Sequence, residues 1–500
     1  MEILFHKSVC TYLKTLTAQT KSQELTQEIR IPDSMPDVGR VLGCWGQIVI
    51  RGKEWSNNRA NISGGIMVAY LYSPEDGTEP RSADTWIPFQ ESWEFDDALR
   101  DGALYVSAML KSLDIRCISA RKLIVRSTVR IYGEAMVQGE ASLYLPENQI
   151  ENVELLQNAY PTEIPVEIGE KQFQLNEVLP LPSGNPSIKK IICSKTKLEI
   201  SESRVMTNKL VFRGNANLSL LYLDDGGTLH KCQLRQAFSQ LADLDDEYEN
   251  DATAQIYPVL TGLDVECTDD GQVQFKCSIA AQFVVYERKW ITIVEDAYSN
   301  DRKVEVHTEE IKIPARLDVY REQLELRGQL HEPCSEIHDV DSECCIDEVY
   351  NKADLQNLSV CCQFQLVCQD ENDMVSGVQV KCSERVAIGS DIDNQIRPVI
   401  YSVGDTITER TTNGMNVIQT VVLEAEILKE QVFNVITGLV VEEKEQQNTE
   451  CPSIILKRVE NQRIWDIAKE CKSTVGKIKE ANNMDADELL KDQILLIPVR

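Results

Sequence analysis

One stretch of this sequence is written twice, and the duplication constrains the fold more than any other feature. Residues 31–43 read IPDSMPDVGRVLG and residues 181–193 read LPSGNPSIKKIIC; residues 64–77 and 214–227 correspond in the same way. The matching pairs, all at one fixed interval, are Pro32 and Pro182, Pro36 and Pro186, Val38 and Ile188, Gly64 and Gly214, Leu71 and Leu221, Tyr72 and Tyr222, and Gly77 and Gly227. This register indicates two whole domains in tandem, not a solenoid of short repeats.

Alternating apolar side chains predict strands that bury one face. A period of two places every second residue on the same side of a sheet. The rows with this period are Ile66, Val68, Tyr70 and Tyr72; Leu123, Val125, Val129 and Ile131; Leu218, Leu220 and Tyr222; and every second residue from Val273 to Val285. We therefore predict a mainly β protein built of tandem β-sandwich-like repeat domains.

A third, eroded copy is predicted over residues 301–441. Residues 360–377 have the strand-then-turn pattern of the second copy, with Cys368 in the place of the tyrosine. Of the double-proline opening, only Ile313-Pro314 is expected to survive.

The predicted domains are an N-terminal segment (1–20, with a possible edge strand at Ile3–Phe5), repeat 1 (21–147), repeat 2 (166–300), the divergent repeat 3 (301–441) and a C-terminal domain (451–500). A connector is expected at 147–165. We expect the repeats to form a row that acts as a spacer.

Composition narrows the possible partners. The net charge of −29 argues against nucleic acid, because phosphate binding requires clustered Lys and Arg. The longest apolar run, Ile66–Tyr72, is too short for a transmembrane segment, which requires about 20 residues. The first residues lack the apolar block of a secretory signal, so we expect a cytosolic protein whose cysteines are mostly reduced thiols.

The C-terminal residues 451–500 change character after the charged segment EEKEQQN at 442–448. Apolar residues at helical spacing predict two short helices, with Ser473 or Thr474 capping the second. A closing strand is expected at Ile494–Ile497. The predicted order of strand, helix, helix and strand describes a small α+β domain (βααβ), which we expect to fold as a separate knob.

This segment resembles a LysM domain. The resemblance is carried by Trp465, Ile467-Ala468, Ser473-Thr474-Val475, Ile478, Asn482-Asn483 and Leu495-Leu496-Ile497-Pro498. It implies a shallow groove, between the loops 461–463 and 483–487, that usually binds the sugars of peptidoglycan or chitin. The candidate partner- or glycan-binding residues are Asn461, Gln462, Arg463, Trp465, Ile467, Asn483, Met484 and Asp485.

The first loop departs from the LysM pattern. Asn461-Gln462-Arg463 replaces the usual Gly-Asp-Thr, so the helix lacks a good cap, at a cost of about 1 kcal/mol. We therefore weigh protein binding against glycan binding. Arg463 is the best candidate for a direct contact, because Arg is enriched at binding hot spots; Trp465 is expected to pack partly in the core. A second Gly-Asp-Thr, at 404–406, has no helical pattern after it and is interpreted as a chance match.

The repeated body resembles the SPOCS domain of endospore-forming bacteria. The resemblance is carried by the two double-proline segments, the Gly-then-Leu-Tyr strands, and the apolar-Phe steps at Ile87–Phe89 and Ala237-Phe238. Tandem SPOCS domains with one C-terminal LysM are similar to the SipL and SpoVID group of spore coat morphogenetic proteins. That resemblance implies a scaffold in the mother-cell cytoplasm, at the forespore surface and spore coat. Its LysM would bind a coat basement-layer ATPase (SpoIVA-like), and the alternative is a protein that binds peptidoglycan of the cortex or cell wall.

Sequence motifs for catalysis were sought and not found. There is no phosphate-binding glycine loop, HExxH or GxSxG. We predict a non-enzymatic protein without cofactor, catalytic residues or resident metal. One cluster, His331, Cys334, His338, Cys344 and Cys345, could be a zinc site or only a loop with incidental cysteines. The cysteines at 344–345, 361–362 and 368 favour buried thiols, with oxidative cross-linking as the alternative.

Overall fold

The structure is a computed structural model of the chain. It describes residues 2–56, 58–94, 102–148, 150–331, 334–370, 374–412, 414–442, 453–460, 462–484 and 493–499. After a short first strand, the strands group into three units, here called the body, and a tail module (453–499). The prediction of a mainly β fold with a small βααβ domain at its end is confirmed.

Unit 1 consists of two antiparallel sheets that face each other. Its strands are β2 (His6–Arg30), β3 (Val38–Ser56), β4 (Arg59–Pro74), β5 (Arg81–Glu94), β6 (Ala103–Ser119) and β7 (Lys122–Leu145). One sheet has the order β2-β7-β6 and the other β3-β4-β5. The first strand of the unit therefore lies in one sheet, the next three form the other, and the last two return to the first.

Units 2 and 3 follow the same plan. Unit 2 contains β8 (Val153–Leu179), β9 (Lys190–Leu223), β10 (Leu229–Tyr248), β11 (Thr253–Cys267) and β12 (Val273–Ser299). Unit 3 contains β13 (Val304–Leu330), β14 (Glu336–Lys352), β15 (Leu355–Gln369), β16 (Val375–Asp391), β17 (Gln395–Thr411) and β18 (Gly414–Val441). The sheets are β8-β12-β11 with β9-β10, and β13-β18-β17 with β14-β15-β16. Each unit is thus a two-layer sandwich whose longest sheet contains its first and last strands.

The predicted alternating rows form the cores between the layers. Ile66, Val68 and Tyr72 of unit 1 are buried against Val125 and Val129 from the other sheet. In unit 2 the row from Val273 to Val285 is buried throughout, including Cys277. Unit 3 has its own core of the same kind.

The duplicated residues make the same contacts in units 1 and 2. The Tyr72 hydroxyl donates to the Pro36 carbonyl oxygen at 3.1 Å, and the Tyr222 hydroxyl donates to that of Pro186 at 3.2 Å. These bonds attach the double-proline loop to the strand that leads into the Gly77 and Gly227 turns. The repeated pairs are therefore conserved between the copies because they close the same corner of each sandwich.

The repeated glycines leave space for an aromatic ring. Phe89 lies opposite Gly64, and Phe238 lies opposite Gly214. A Cβ atom at either glycine would come within 2.6 Å of the ring of its opposite phenylalanine. Each ring therefore lies over bare backbone, which explains why the Gly and the apolar-Phe step occur together in both copies.

The third unit retains one hydrogen bond of this corner but not the tyrosine. The backbone amides of Thr228 and Met374 each donate to the carboxylate of the aspartate four residues earlier, Asp224 and Asp370, at 2.9 Å. Cys368 precedes Asp370 by the same interval as Tyr222 precedes Asp224, and it is buried. The interpretation of Ile313-Pro314 is wrong, because Pro314 lies inside β13, opposite Glu430, and not in the loop that follows this strand.

Two strands are longer than the sequence pattern suggested. β2 continues across residues 6–30 and pairs with β7 along its whole length. β8 begins at Val153, so much of the expected connector is paired with β12. The register shifts inside these pairs, at 15/17 and 285/286, interrupt the alternation that a sequence pattern depends on. The bounds of the repeat domains stay a prediction.

The three units do not form a row, and that expectation is wrong. Each unit contacts both of the others around a common centre, where a cavity of about 530 Å³ is lined by β3, β6, β9, β11, β14 and β17. Strand β1 (Glu2–Leu4) closes the arrangement by pairing with β18 of unit 3, with Ile3 opposite Leu439. The expected edge strand near Ile3 therefore exists, although its partner is the distant unit.

Five charged side chains, here called the charge chain, join the units at this centre. In order of contact they are Glu163, Arg316, Glu426, Arg397 and Glu134. They come from unit 2, unit 3 and unit 1, with the three central residues in unit 3. Charges alternate along the chain, so each buried group faces an opposite charge, which is the condition for burying ions at tolerable cost.

Arg397 is the member of the charge chain that contacts residues of both other units. Its Nε and Nη2 donate to the two carboxylate oxygens of Glu134 at 2.7 Å each, and its Nη1 donates to Glu426 at 2.7 Å. Nη1 also donates to the hydroxyl of Tyr286 from unit 2, at 2.9 Å. Burial alone would raise the pKa of Glu134, yet the charge and hydrogen bonds of Arg397 hold it below its usual range. One side chain therefore bonds all three units.

The tail module has its own sheet and core. Its elements are β19 (Ile454–Val459), α1 (Ile464–Glu470), α2 (Val475–Asn482) and β20 (Gln493–Pro498), with β19 and β20 antiparallel. The Thr474 hydroxyl accepts from the Lys477 amide at 3.2 Å, so Thr474 caps α2 as predicted, while the Ser473 hydroxyl donates to the Pro498 carbonyl oxygen. The Asn482 side chain exchanges hydrogen bonds with the backbone of Leu496, which fixes α2 on the sheet.

Candidate binding site on the tail module

The tail module rests on unit 2 through a small set of side chains, here called the docking contact. Trp465 Nε1 donates to Asp296 Oδ2 at 2.8 Å, and Lys469 Nζ donates to both oxygens of the same carboxylate at 2.7 and 2.8 Å. The Tyr298 hydroxyl donates to the Ser473 carbonyl oxygen at 3.1 Å. Helix α1 therefore lies on the end of β12, and the expectation of a wholly separate knob is wrong in this respect.

Aromatic packing extends the docking contact. The rings of Tyr298 and Trp465 meet edge to face with centroids 4.8 Å apart, and Tyr298 belongs to the same buried cluster as the module core. Burial alone would raise the pKa of Asp296, yet the hydrogen bonds from Lys469 and Trp465 bring it below its ordinary value. The ionised carboxylate is thus the form that holds the tail module.

The structure brings three of the predicted site residues together in the module core. Trp465 is 7% exposed and Ile467 is fully buried, and Met484 packs partly buried against the same cluster. Trp465 is packed, as expected, and it also contacts Asp296 and Tyr298 of unit 2. Ile467 acts through packing only, since none of its side chain reaches the surface.

Three described residues of the two predicted loops remain exposed. Gln462, Arg463 and Asn483 all face solvent in the docked module. Arg463 precedes α1 without a side-chain cap, and its guanidinium pairs with Asp466 at 3.2 Å. The absence of a cap agrees with the lost Gly-Asp-Thr pattern. Asn461 and Asp485 lie outside the described residues.

Asn483 has a clear structural role. It ends α2 with φ near 53°, the left-handed conformation that Asn tolerates better than most residues. The Met484 amide then donates to the Lys479 carbonyl oxygen at 3.0 Å and closes the last turn. The second loop therefore leaves α2 in a fixed direction, which holds Asn483 at the surface.

A second surface of the tail module was not predicted from the sequence. Ile454, Leu456 and Ile494 point away from the helices on the outer side of β19 and β20, and this set is here called the apolar sheet face. Leu456 is 71% exposed and Ile494 is 66% exposed. Exposed and buried residues alternate along β19 and β20, so the sequence does contain the pattern of a one-sided sheet. The two strands are too short for that pattern to show which face the helices cover.

The other candidate sites from the sequence behave as structural groups. His338 contacts Gln369, and Cys344 and Cys345 are successive residues of β14 that point to opposite faces. Within the described ranges, no group of three or more His, Cys, Asp or Glu residues could hold a metal ion. Thr406 of the second Gly-Asp-Thr lies in β17 and bonds Ser342 and Gln419, so that motif opens no helix.

These features define a class: a multidomain binding protein with a β-sandwich body and a βααβ module docked on it. Family comparison gives the particulars. The family described as SipL, SPOCS domain, matches residues 187–268, and the LysM domain family matches residues 462–498. The chain therefore contains a SPOCS domain within unit 2 and a LysM domain in its tail, as the resemblance implied. The SPOCS family marks it as a sporulation protein.

The matched families limit what the site does. SPOCS and LysM domains are non-catalytic binding domains, which agrees with the prediction of a non-enzymatic protein. No curated protein and no solved structure matches the chain. None of the helices in the described segments is long and apolar enough to cross a membrane.

Proposed function

We propose that this protein is a non-enzymatic scaffold of endospore envelope assembly, in which the tail module binds a protein of the coat basement layer. The partner class is the SpoIVA-like morphogenetic ATPase that the family resemblance implies. The working location is the mother-cell cytoplasm at the forespore surface. The observation that carries the proposal is the apolar sheet face, which remains open while the tail module is docked.

An apolar surface distinguishes a protein partner from a sugar. Leu456 and Ile494 expose most of their side chains, and exposed apolar groups that lie together favour protein contacts over the polar hydroxyls of a glycan. Arg458 lies opposite Ile494 at the end of the same sheet, so a charged rim accompanies the apolar centre. This composition is typical of a small protein interface.

The body supplies the second property of a scaffold, a fixed shape. The charge chain and the pairing of β1 with β18 join all three units, so partner sites on different units keep constant separations. While the tail module is docked, it presents its apolar sheet face in one orientation. Multivalent assembly gains from this, because a second contact then forms at high effective concentration.

The alternative function is peptidoglycan binding by the LysM groove. It is supported by the exposure of Gln462, Arg463 and Asn483, three residues of the two groove loops. The uncapped start of α1 counts against it, because the loop backbone that usually meets the sugar is changed. Both functions leave the docking contact in place, since α1 faces unit 2 while the loops face solvent.

The two functions are separated by testing two surfaces against two ligands. The full chain is assayed for pull-down of a purified SpoIVA-like ATPase and for sedimentation with purified peptidoglycan. Leu456→Asp alters the apolar sheet face, Arg463→Glu alters the groove loop, and Lys477→Glu is a matched charge reversal on exposed α2. We expect Leu456→Asp to abolish the pull-down and Arg463→Glu to weaken it, with Lys477→Glu unchanged.

Folding of each variant is checked by its thermal transition and by hydrogen exchange across α2. If the chain sediments with peptidoglycan, and Arg463→Glu alone prevents this, the glycan function replaces the scaffold contact. If the Leu456→Asp and Arg463→Glu variants both still pull down the ATPase as the wild type does, the tail module is not the binding element.

A further inference from the structure

Five cysteines lie side by side in the β14-β15-β16 sheet of unit 3. Cys345 is opposite Cys361, Cys344 is opposite Cys362, and Cys362 is also opposite Cys382. Directly opposite residues of antiparallel strands have Cα atoms about 4.5–5.5 Å apart, inside the range of about 4.4–6.8 Å that a disulfide spans. The Sγ atoms of Cys344 and Cys362 are already 3.3 Å apart. The cross-strand pairs therefore have a Cα spacing that a disulfide can span.

The five thiols divide between the two faces of the sheet. Cys362 faces the core of unit 3 with Cys344 and Cys382 as its neighbours, here called the inner row. Cys345 and Cys361, here called the outer pair, face unit 1 beside the ion pair of Lys111 and Asp347. Each face thus has at least two thiols within bonding reach.

Each set combines an accessible thiol with a buried one. Cys361 and Cys382 are partly exposed, whereas Cys345 and Cys362 are almost completely buried. A hydrogen bond from Cys345 lowers the pKa of Cys361, with further help from Lys111 and Lys381, and a hydrogen bond from Cys362 lowers the pKa of Cys382. The accessible member of each set is therefore the better nucleophile, and its buried neighbour is placed to complete the reaction.

The inner row also borders a cavity. Cys344 is partly exposed and lines the central cavity of about 530 Å³ where the three units meet. The inner row can thus be approached at Cys382 from the surface and at Cys344 from the cavity.

We propose that this cysteine cluster is a dithiol oxidation site, which forms one disulfide on each face of the sheet. The oxidant is a low-molecular-weight disulfide. Cys361 thiolate attacks one of its sulfurs, which makes a mixed disulfide and releases the other sulfur as a thiolate. Cys345 then attacks the Cys361 sulfur while its proton passes to the departing sulfur, which leaves as the second small thiol. The protein loses two electrons, and the small disulfide gains them.

The inner row reacts by the same steps. Cys382 makes the mixed disulfide and Cys362 resolves it; Cys344 is the competing partner of Cys362. Since Cys362 can bond only one neighbour, five thiols yield two disulfides and one remaining thiol. Thiol–disulfide exchange along the row moves the bond between Cys344 and Cys382.

Other buried cysteines serve as internal controls. Cys44 lies opposite Tyr70, Cys232 lies opposite Leu220, and Cys277 lies between Leu175 and Leu263. Their cross-strand neighbours are not thiols, so they have nothing to resolve a mixed disulfide.

The test maps disulfides in the full chain. The reduced protein is incubated with oxidised glutathione, unfolded, alkylated, digested without reductant and analysed by mass spectrometry. We expect Cys345 and Cys361 to lose alkylation together, and Cys362 to be linked to Cys344 or Cys382. Cys44 and Cys277 should stay alkylated. Full alkylation of all five thiols after this treatment, or links only between chains, would overturn the proposal.

Two variants test the order of the steps. Cys345→Val removes the resolving thiol, so Cys361 should accumulate as a stable glutathione adduct. Cys361→Ser removes the nucleophile, so the buried Cys345 should remain alkylated as a free thiol. Cys277→Val is the matched control and should leave the disulfide map unchanged. If Cys345→Val shows no adduct while wild type forms the disulfide, Cys361 is not the attacking thiol.

Discussion

The charge chain and the docking contact both hold parts of this molecule together with ionised carboxylates, yet their surroundings differ. In the charge chain, Arg397 and Glu134 have side chains that are 2% and 0% exposed. In the docking contact, Lys469 and Asp296 are 47% and 29% exposed. If Lys469 and Asp296 separate, water can solvate both charges. Arg397 and Glu134 are buried, so water cannot replace their contact in the same way. The comparison indicates that the body is a single block and that the tail module is a detachable part.

The largest effect is expected from breaking the charge chain. Arg397→Met leaves Glu134 and Glu426 buried without their shared cation, at a cost of about 3–5 kcal/mol in the free energy of unfolding. Thermal or urea unfolding of the full chain measures this. Arg327→Met, at an exposed surface pair, is the control and should change stability by less than about 1 kcal/mol. Equal stabilities for the two variants would contradict the single-block interpretation.

A smaller and local effect is expected at the docking contact. Asp296→Ala removes the acceptor of Trp465 and Lys469, which should weaken docking by about 1–3 kcal/mol while the body keeps its stability. Hydrogen exchange of α1 and an increased radius of gyration would report the released tail module. Glu295→Ala is the matched control, because Glu295 accepts from Asn158 and Tyr160 of unit 2 instead. Loss of body stability in Asp296→Ala would show that the module is an integral part of the block.

Acid should weaken the same contact. The pKa of Asp296 is lowered by docking, so its contribution is complete above the undocked value of about 3.9 and is lost as pH falls through the lower docked value. We expect a constant radius of gyration from pH 7 to pH 5 and an increase below about pH 4. Asp296→Asn should remove this dependence. An increase that begins near neutral pH would point to a histidine or another group instead.

The smallest effect is expected inside the tail module. Thr474→Ala removes the cap of α2 and should destabilise the module by about 1 kcal/mol, whereas Thr474→Ser keeps the oxygen and should cost only a few tenths. Hydrogen exchange of α2 measures both. The body and the docking contact should not change, since Thr474 bonds only its own helix. If Thr474→Ala also increased the hydrogen exchange of β12, the tail module and unit 2 would be coupled more tightly than their exposed docking contact predicts.

The alternation of apolar residues predicted the strands and their buried faces, but it could not predict how the three units contact each other. The alternation at Ile66, Val68 and Tyr72 identifies a core face because packing there is periodic. Arg397 and Glu134 lie on the strand faces opposite the apolar rows, at positions that a sequence presents as solvent-facing. Their burial depends on contacts between units, which leave no periodic trace.

The candidate site was partly predictable for the same reason. The tail elements, the Thr474 cap and the packing of Trp465 follow from local spacing. Asp296 and Tyr298 could not be assigned to the tail, because they lie in a different unit and resemble any other alternating residues of β12. The apolar sheet face is visible as Leu456 and Ile494 only once the helices are known to cover the opposite side.

The position of strand β1 affects how this chain folds at high protein concentration. Ile3 and Leu439 are neighbours although nearly the whole body lies between them, so closing this loop is entropically costly and happens late. Until then the end of β18 offers unpaired backbone groups that any identical segment can satisfy. At high concentration the first residues of one molecule can pair with β18 of another, and the chain is expected to form domain-swapped dimers through that exchange.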